Sequence, residues 1–309
     1  MKKLLGLTAA SLLLLAGCGG ATLEGDNAES VAVEEKEASE LVVGASISTL
    51  NNPFFVSLEA GITGLAEENG TKIIAVDAQD DTAKQTNDVD DLIQQGVDVL
   101  LINPVDSAAI APAVEAANSA GIPVITIDRS SDGGEVVTLV ASDNAAGGEL
   151  AAQYIVELSG EGANTVQLEG VPGASATRER GEGFAKIAEE SLNLLDSQTA
   201  NFDRAEGLTV MENMLQAHAD IQAVFAQNDE MALGAIEAIE AAGLTGKIQV
   251  VGFDGTEDGM NAVEEGKMSA TVAQQPEEMG RLALQAAFDF FAGKEVDAYI
   301  PSPLELIKK

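Results

Sequence analysis

The chain has 309 residues, with 51 acidic against 16 basic side chains, a formal net charge of -35 and 46 % hydrophobic residues. That length holds two domains of ordinary size, and the hydrophobic share is too high for a disordered chain, so the acidity belongs to the surface of something folded. The charge argues against nucleic-acid binding, which depends on clustered Lys and Arg, and against adsorption to anionic lipid headgroups, while one Cys and one His exclude a disulfide framework and a Cys/His metal cluster.

The first segment reads as an address and a tether. Met1, Lys2 and Lys3 form a basic start, and Leu4 to Ala16 form an apolar run of signal length. The run is shorter than the ~20 residues a bilayer span requires. It ends in Leu15-Ala16-Gly17-Cys18, which resembles the lipobox of bacterial lipoproteins. By that resemblance residues 1–17 are the signal peptide, and Cys18 is lipidated and becomes the mature N-terminus. An ordinary secretory signal with an incidental Cys is the plainer alternative. From Gly19 to Glu40 the chain is small, polar and acidic, with seven carboxylates and one Lys. Such a stretch cannot bury enough apolar surface to order itself, so 18–40 is expected to be a lipidated Cys followed by a flexible tether. Residues 1–40 carry a net of only -4, so -31 remains for the folded part.

From Leu41 onward, short β-branched runs alternate with amphipathic stretches. Predicted strands are Leu41–Ser48, Lys72–Asp77, Val97–Ile102, Ile122–Asp128 and Val136–Ala141, then Thr165–Leu168, Ile221–Ala226, Ile248–Asp254 and Ala270–Ala273. Nearly continuous apolar strands with helices between them indicate parallel sheets covered on both faces, an α/β doubly wound architecture. A weak repeat indicates two such lobes. Val99-Leu100-Leu101-Ile102 ends in Asn103, and 25 residues later Val124-Ile125-Thr126-Ile127 ends in Asp128. Ala223-Val224-Phe225-Ala226-Gln227 ends in Asn228, and 26 residues later Val250-Val251-Gly252-Phe253 ends in Asp254. Each half thus places polar residues at the carboxyl ends of adjacent core strands, the edge where open α/β sheets bind ligands.

The residue types at those ends suit a polyol. After the first strand, Asn52 is placed to cap a helix opened by Pro53, and Phe54 and Phe55 can stack on the C–H face of a sugar ring. Taken alone, Phe55 fits a helix anchor equally well. Asp128 accepts from hydroxyl hydrogens, and the Arg129 and Arg180 forks can grip adjacent hydroxyl oxygens. Asn52, Asn228 and Gln274 both donate and accept. Each of these, alone, is more simply a surface residue or a cap; their weight lies in how many stand at strand ends.

These segments also identify a family. Ser48-Thr49-Leu50-Asn51-Asn52-Pro53-Phe54-Phe55, Leu101-Ile102-Asn103-Pro104, Ile122-Pro123-Val124-Ile125-Thr126-Ile127-Asp128-Arg129 and Ala141-Ser142-Asp143-Asn144 resemble ribose-binding proteins of ABC importers. So do Arg178-Glu179-Arg180-Gly181-Glu182-Gly183-Phe184, the run from Val224 to Ala235, and Val251-Gly252-Phe253-Asp254-Gly255. The resemblance runs from about Leu41 to the C-terminus. It implies the type 1 periplasmic-binding-protein fold: two doubly wound parallel-sheet lobes joined by a three-strand hinge and closing on one sugar. The N-terminal lobe would take 41–142 plus 275–303, and the C-terminal lobe 143–274 plus 304–309. It further implies a sugar ring between Phe54 and Phe55 on one side and Phe202 on the other. Asn52, Asp128, Arg129, Arg180, Asn228, Asp254 and Gln274 would hold its hydroxyls. The lipobox departs from many relatives, which are free periplasmic proteins, and Gly133-Gly134 lengthens or loosens one loop.

The function implied is an extracytoplasmic binding lipoprotein, anchored to the outer face of the cytoplasmic membrane through Cys18, that delivers D-ribose to ABC permease membrane subunits. It is expected to be a monomer without cofactor or metal and with no nucleic-acid partner. The nearest alternative is a binder of allose, galactose, glucose or a sugar-like signal. With zero Trp and no calcium loop, the chain departs from the glucose/galactose binders of the superfamily. A sugar-responsive repressor needs an N-terminal helix-turn-helix where this chain has its signal. An enzyme would need more than two Asp in a cleft, and the Arg neighbours are expected to hold both ionised. His218 reads as a loop residue without a nucleophile beside it. Asp80-Asp81 and Asp88 to Asp91 read as exposed helix-face charge.

Overall fold

The computed structural model describes residues 35–309. The predicted signal run, Cys18 and most of the predicted tether lie outside the described residues. Along the chain come β1 (Val42–Ile47), α1 (Pro53–Asn69), β2 (Lys72–Asp77), α2 (Thr82–Gln94), β3 (Val99–Ile102), α3 (Ala111–Ser119), β4 (Val124–Ile127) and β5 (Thr138–Ser142). Next are α4 (Asn144–Ser159), β6 (Ala163–Glu169), α5 (Ser175–Ser191), β7 (Leu192–Thr199), α6 (Arg204–Ala217), β8 (Ala223–Ala226), α7 (Asp229–Ala241), β9 (Gln249–Asp254), α8 (Glu257–Glu265) and β10 (Ala270–Ala273). The chain ends with α9 (Pro276–Phe291), β11 (Tyr299–Ser302) and β12 (Glu305–Lys308).

The strands form two six-stranded sheets, ordered β2-β1-β3-β4-β5-β11 and β7-β6-β8-β9-β10-β12. All pairings are parallel except β10 with β12. The predicted two-lobed, doubly wound α/β architecture is the one observed. The central strands β3, β4 and β8 are buried along their whole length, as covering by helices on both faces requires. The chain crosses between sheets three times, from β5 into α4, from β10 into α9 and from β11 into β12.

The structure differs from the sequence reading in two places. Strands β7, β11 and β12 are sheet edges with mixed, half-exposed patterns, so their sequences lack the apolar run that marks a core strand. Also, the predicted tether is not free to its end at Glu40. The Lys36 amide donates to the Phe291 carbonyl (3.2 Å), the Thr71 hydroxyl donates to the Ala38 carbonyl (2.8 Å) and Lys36 pairs with Asp98. Residues 36–40 are therefore seated on the first lobe beside the buried Leu41, where backbone and side-chain bonds replace the apolar burial that the segment lacks.

Helix termini aim the ligand-facing residues. Asn52 accepts from the Phe54 amide (2.9 Å) with Pro53 as the first helical residue, so α1 starts where the sequence places it. In the second lobe, Gly148 lets α4 lie directly on α5: a Cβ there would strike the Arg180 carbonyl and the Phe184 amide. That close approach sets Arg180 beside Asn144, the first residue after the first crossing. The lobes are closed on each other. Ser107 N–H donates to the Gly173 carbonyl (3.0 Å), Ser175 N–H to Ser107 Oγ (3.1 Å), Ser130 N–H to Ser175 Oγ (2.9 Å) and Arg178 Nη2 to Asp132 Oδ1 (2.9 Å).

Candidate functional site

Between the carboxyl ends of the two sheets lies a small, tightly enclosed cavity. It is lined by Asn52, Phe54, Phe55, Asp128, Arg129, Arg180, Phe202, Asn228, Asp254 and Gln274. The structure thus brings together all ten residues singled out from sequence. They come from the loops after β1, β4, β8 and β10, from the first turn of α1, the end of β9, α5 and the turn before α6. A wider space adjoins it, sharing Asn52, Phe55, Arg129 and Phe202 and bordered by Asp80, Asn201 and Asp203. Asp80 is thus beside this space, and Asp81 caps α2 by accepting from the Lys84 amide (2.9 Å), rather than both being helix-face charge.

The two lobes build matching halves. Asp128 follows β4 and Asp254 ends β9, strands that hold equivalent places in their sheets. Both take a positive φ, 64° and 116°, which is uncommon for a residue with a Cβ and concentrates at functional sites. Each carboxylate is buried and has a guanidinium at 3.5 Å, Arg129 for Asp128 and Arg180 for Asp254. Asn201 and Phe202, at 52° and 60°, are also left-handed.

The arginines are held from behind. Arg180 donates from Nε to Asn144 Oδ1 (2.8 Å) and from Nη1 to the Gln227 carbonyl (2.6 Å), and lies on the Phe253 ring with Cζ 3.8 Å from its centre. Arg129 Nη1 donates to the Pro104 carbonyl (2.9 Å), and its Cζ lies 5.1 Å from the Phe55 ring centre and 5.3 Å from that of Phe202. Phe54 and Phe55 meet edge to face at 5.1 Å and also belong to the first lobe's core, so Phe55 anchors its helix and lines the cavity at once. Asn228 caps α7 by accepting from the Met231 amide (2.9 Å) and donates to the Phe202 carbonyl (3.1 Å). Gln274 Nε2 donates to Asp254 Oδ1 (2.8 Å). Three buried atoms of these residues make no hydrogen bond within the protein: Asp128 Oδ1, Arg129 Nε and Gln274 Oε1. Two acceptors and a donor are therefore available to a solute that both donates and accepts.

Burial raises the pKa of Asp128 despite the pull of Arg129 and Arg180, and pushes that of Asp254 up to about 8 despite Arg180. Arg129 is shifted down by the same desolvation. The expectation that neighbouring arginines hold both carboxylates ionised is thus corrected for Asp254: the loss of hydration in a closed cleft outweighs one guanidinium at 3.5 Å. Among the described residues no cluster of His, Cys, Asp and Glu is arranged to hold a metal. His218 ends α6 at the surface, 3.6 Å from Asp196.

Sequence reading missed the residues that support the site. Asn103 stands at a predicted strand end and Gln227 one residue before Asn228, yet neither received a role. Both are fully buried polar side chains, and only their bonding partners reveal what they do. Arg178, two residues from Arg180, joins the lobes instead of lining the cavity.

A family model described as a periplasmic binding protein domain matches residues 43–295. The chain is 60 % identical to a ribose import binding protein of Bacillus subtilis over 86 % of this chain and 87 % of that one. It is 48 % identical to the ribose import binding protein of Escherichia coli over 94 % of this chain and 98 % of that one. A periplasmic solute-binding protein of an Actinobacillus succinogenes ABC transporter, solved with bound D-allose, superimposes with a TM-score of 0.81 at 31 % identity, covering 87 % of this chain and 98 % of that one. A cleft between two doubly wound lobes, matched by a family model over most of the chain, places this protein among the periplasmic binding proteins.

Proposed function

We propose that this chain captures D-ribose in the interlobe cleft and hands it to an ABC permease. The observation that carries the reading is the interlobe cavity, whose lining combines hydroxyl-binding side chains from both lobes with the rings of Phe54, Phe55 and Phe202. The relatives at 60 % and 48 % identity, both ribose import binding proteins, support ribose over the allose bound by the 31 % identical neighbour. Phe54, Phe55 and Phe202 bracket the ring; Asn52, Asp128, Arg129, Arg180, Asn228, Asp254 and Gln274 take the hydroxyls. The role is binding without turnover.

The mechanism follows from where these groups are mounted. Asp128 and Arg129 are mounted on the first lobe, and Arg180, Asn228 and Asp254 on the second. Only the closed form makes the full set of bonds, so the sugar stabilises closure by its differential affinity for that form. The two lobes, 41–142 with 275–303 and 143–274 with 304–309, move as units about the three crossings. An analogue lacking one hydroxyl leaves a buried polar group unpaired, at roughly 1–3 kcal/mol each. The protein works as a monomer on the outer face of the cytoplasmic membrane, lipid-anchored at Cys18 once residues 1–17 are removed.

Titration calorimetry tests the ligand. A 1:1 complex with D-ribose and much weaker binding of allose, glucose and galactose are expected; preference for one of the hexoses overturns the assignment. Metabolic labelling with a lipid precursor tests the anchor, and label that persists in Cys18→Ser refutes it.

A further inference from the structure

We propose that Asn103 and Gln227 are a matched pair of positioning residues, each clasping the switch point of its own sheet and fixing the loops that carry the ligand-facing side chains. The proposal rests on the reading of the cleft as a sugar site. Neither residue lines the cavity, and both are 0 % exposed.

In each sheet the strand order reverses next to one strand, at β1 between β2 and β3 and at β6 between β7 and β8. Connections leave in opposite directions there, which opens the crevice where such sheets bind ligands. The first backbone amides beyond β1 and β6 belong to Ser48 and Gly170. Asn103, directly after β3, accepts from the Ser48 amide through Oδ1 (3.1 Å). Gln227, directly after β8, accepts from the Gly170 amide through Oε1 (2.9 Å). The two sheets therefore use a buried side-chain amide at the same topological position for the same purpose.

The other end of each amide reaches a second ligand-bearing element. Asn103 Nδ2 donates to the Ile127 carbonyl (3.1 Å) and approaches Asp128 Oδ2 at 3.5 Å. Gln227 Nε2 donates to the Thr177 carbonyl (3.2 Å), one turn before Arg180 on α5, and the Gln227 carbonyl accepts from Arg180 Nη1 (2.6 Å). Asn103 thus links the loop leading to Phe54 and Phe55 with Asp128. Gln227 links Gly170, on which the Phe202 ring rests, with Arg180. Asn103 is itself braced, its carbonyl accepting from Gln85 Nε2 (2.8 Å). A Leu or Met of similar size keeps the packing and removes both halves of the clasp.

The test titrates D-ribose into the intact protein and into Asn103→Leu, Gln227→Met, Asn103→Asp and Gln227→Glu. The Leu and Met variants are expected to keep the far-ultraviolet circular dichroism of the parent and to bind at least ~10-fold more weakly, ~1.4 kcal/mol. In the acid variants a protonated carboxyl restores the clasp, its C=O accepting and its O–H donating. Their affinity relative to the parent therefore recovers as pH falls from about 8 to about 5.5, while that of the Leu and Met variants does not. Asp128, acted on in turn by Arg129 and Arg180, faces position 103 and favours protonation there; Arg180 faces position 227 and opposes it, so Gln227→Glu recovers at lower pH. A second readout needs no ligand: hydrogen exchange at the Ser48 amide speeds up in Asn103→Leu and at the Gly170 amide in Gln227→Met. Parent protein that ignores ribose refutes the ribose reading, and the exchange rates still decide the clasp. Affinities within about twofold of the parent, with unchanged exchange at both amides, overturn the proposal. If the Asn103 variants fail to fold, the Gln227 pair decides alone.

Discussion

Asp254 offers a sharp test of the site's electrostatics, because it is expected to destabilise the ligand-free protein. It is 4 % exposed, and its Oδ1 has Arg180 at 3.5 Å and Gln274 Nε2 at 2.8 Å. Burial pushes its pKa from the ordinary 3.8 up to about 8, with Arg180 pulling it down and Asp229 pushing it further up. Between about pH 4 and about pH 8 the folded state holds a proton that the unfolded state has lost. Stability therefore falls as pH rises through that window, by ~1.4 kcal/mol per unit, and the full penalty persists above it. Asp229, pushed by burial up to about 6, acts mainly in the lower half, so comparison at about pH 6 and about pH 8 isolates Asp254. Asp254→Asn keeps an oxygen to accept from Gln274 and has no charge to desolvate. Ligand-free Asp254→Asn should gain about 2 kcal/mol over the parent between those pH values, or about 5 °C in Tm. It should also lose most of its ribose affinity. Differential scanning calorimetry of both proteins at both pH values measures the gain. A Tm difference independent of pH would refute the reasoning.

Other substitutions probe the remaining parts. Arg180→Met retains the contact with Phe253 but removes a buried charge-assisted donor, so affinity should fall at least ~100-fold with the fold retained; calorimetry and circular dichroism read both, and unchanged affinity would remove Arg180 from the site. Gly170→Ala places a methyl against the Phe202 ring and should weaken ribose binding about 10-fold by displacing that ring, which titration at constant pH checks. The acidic surface predicts a Tm that climbs with sodium chloride from about 0.05 M to about 1 M, since screening relieves self-repulsion; a flat profile would show that the 51 carboxylates do not strain the fold.

What the sequence made legible follows from where each signal is generated. Strands such as Val99–Ile102 and Ala223–Ala226 are buried on both faces, so their composition alone announces them. The edge strand Leu192–Thr199 is half exposed and continues from α5 without a loop, so nothing local separates it from the helix before it. Asn52, Asp128, Arg129, Asn228, Asp254 and Gln274 were legible because they stand at the ends of core strands, where this architecture gathers chemistry, whereas Phe202, beyond the edge strand β7, was reached through the family resemblance alone. Asn103 and Gln227 stand at the same ends, but their work is done through hydrogen bonds to Ser48 and Gly170, 55 and 57 residues away. Spacing along a chain carries no trace of such a bond. The protonation of Asp254 was misjudged for a related reason: the count of charged neighbours is visible in sequence, and the depth of burial that outweighs them is not.

The contrast between surface and cleft bears on selectivity. A chain of net charge -35 would attract cations into any acidic groove. The cavity instead sets two carboxylates against two guanidiniums, each pair at 3.5 Å and buried. With both pairs ionised the cavity is neutral, and with Asp254 protonated it carries one positive charge, so in neither state does it concentrate cations. Two ion pairs alone would be a costly way to fill a buried space, since desolvation opposes them. Their unmet bonding capacity, at Asp128 Oδ1 and Arg129 Nε, is met when a neutral solute donates to one and accepts from the other. A polyol does both with adjacent hydroxyls, whereas an anion or a cation satisfies one and repels the other. The same hydroxyls favour the ionised form of Asp254, so binding near pH 7 should release a proton. The charge pairs thus select for a neutral solute with alternating donors and acceptors, while the net charge outside selects for nothing.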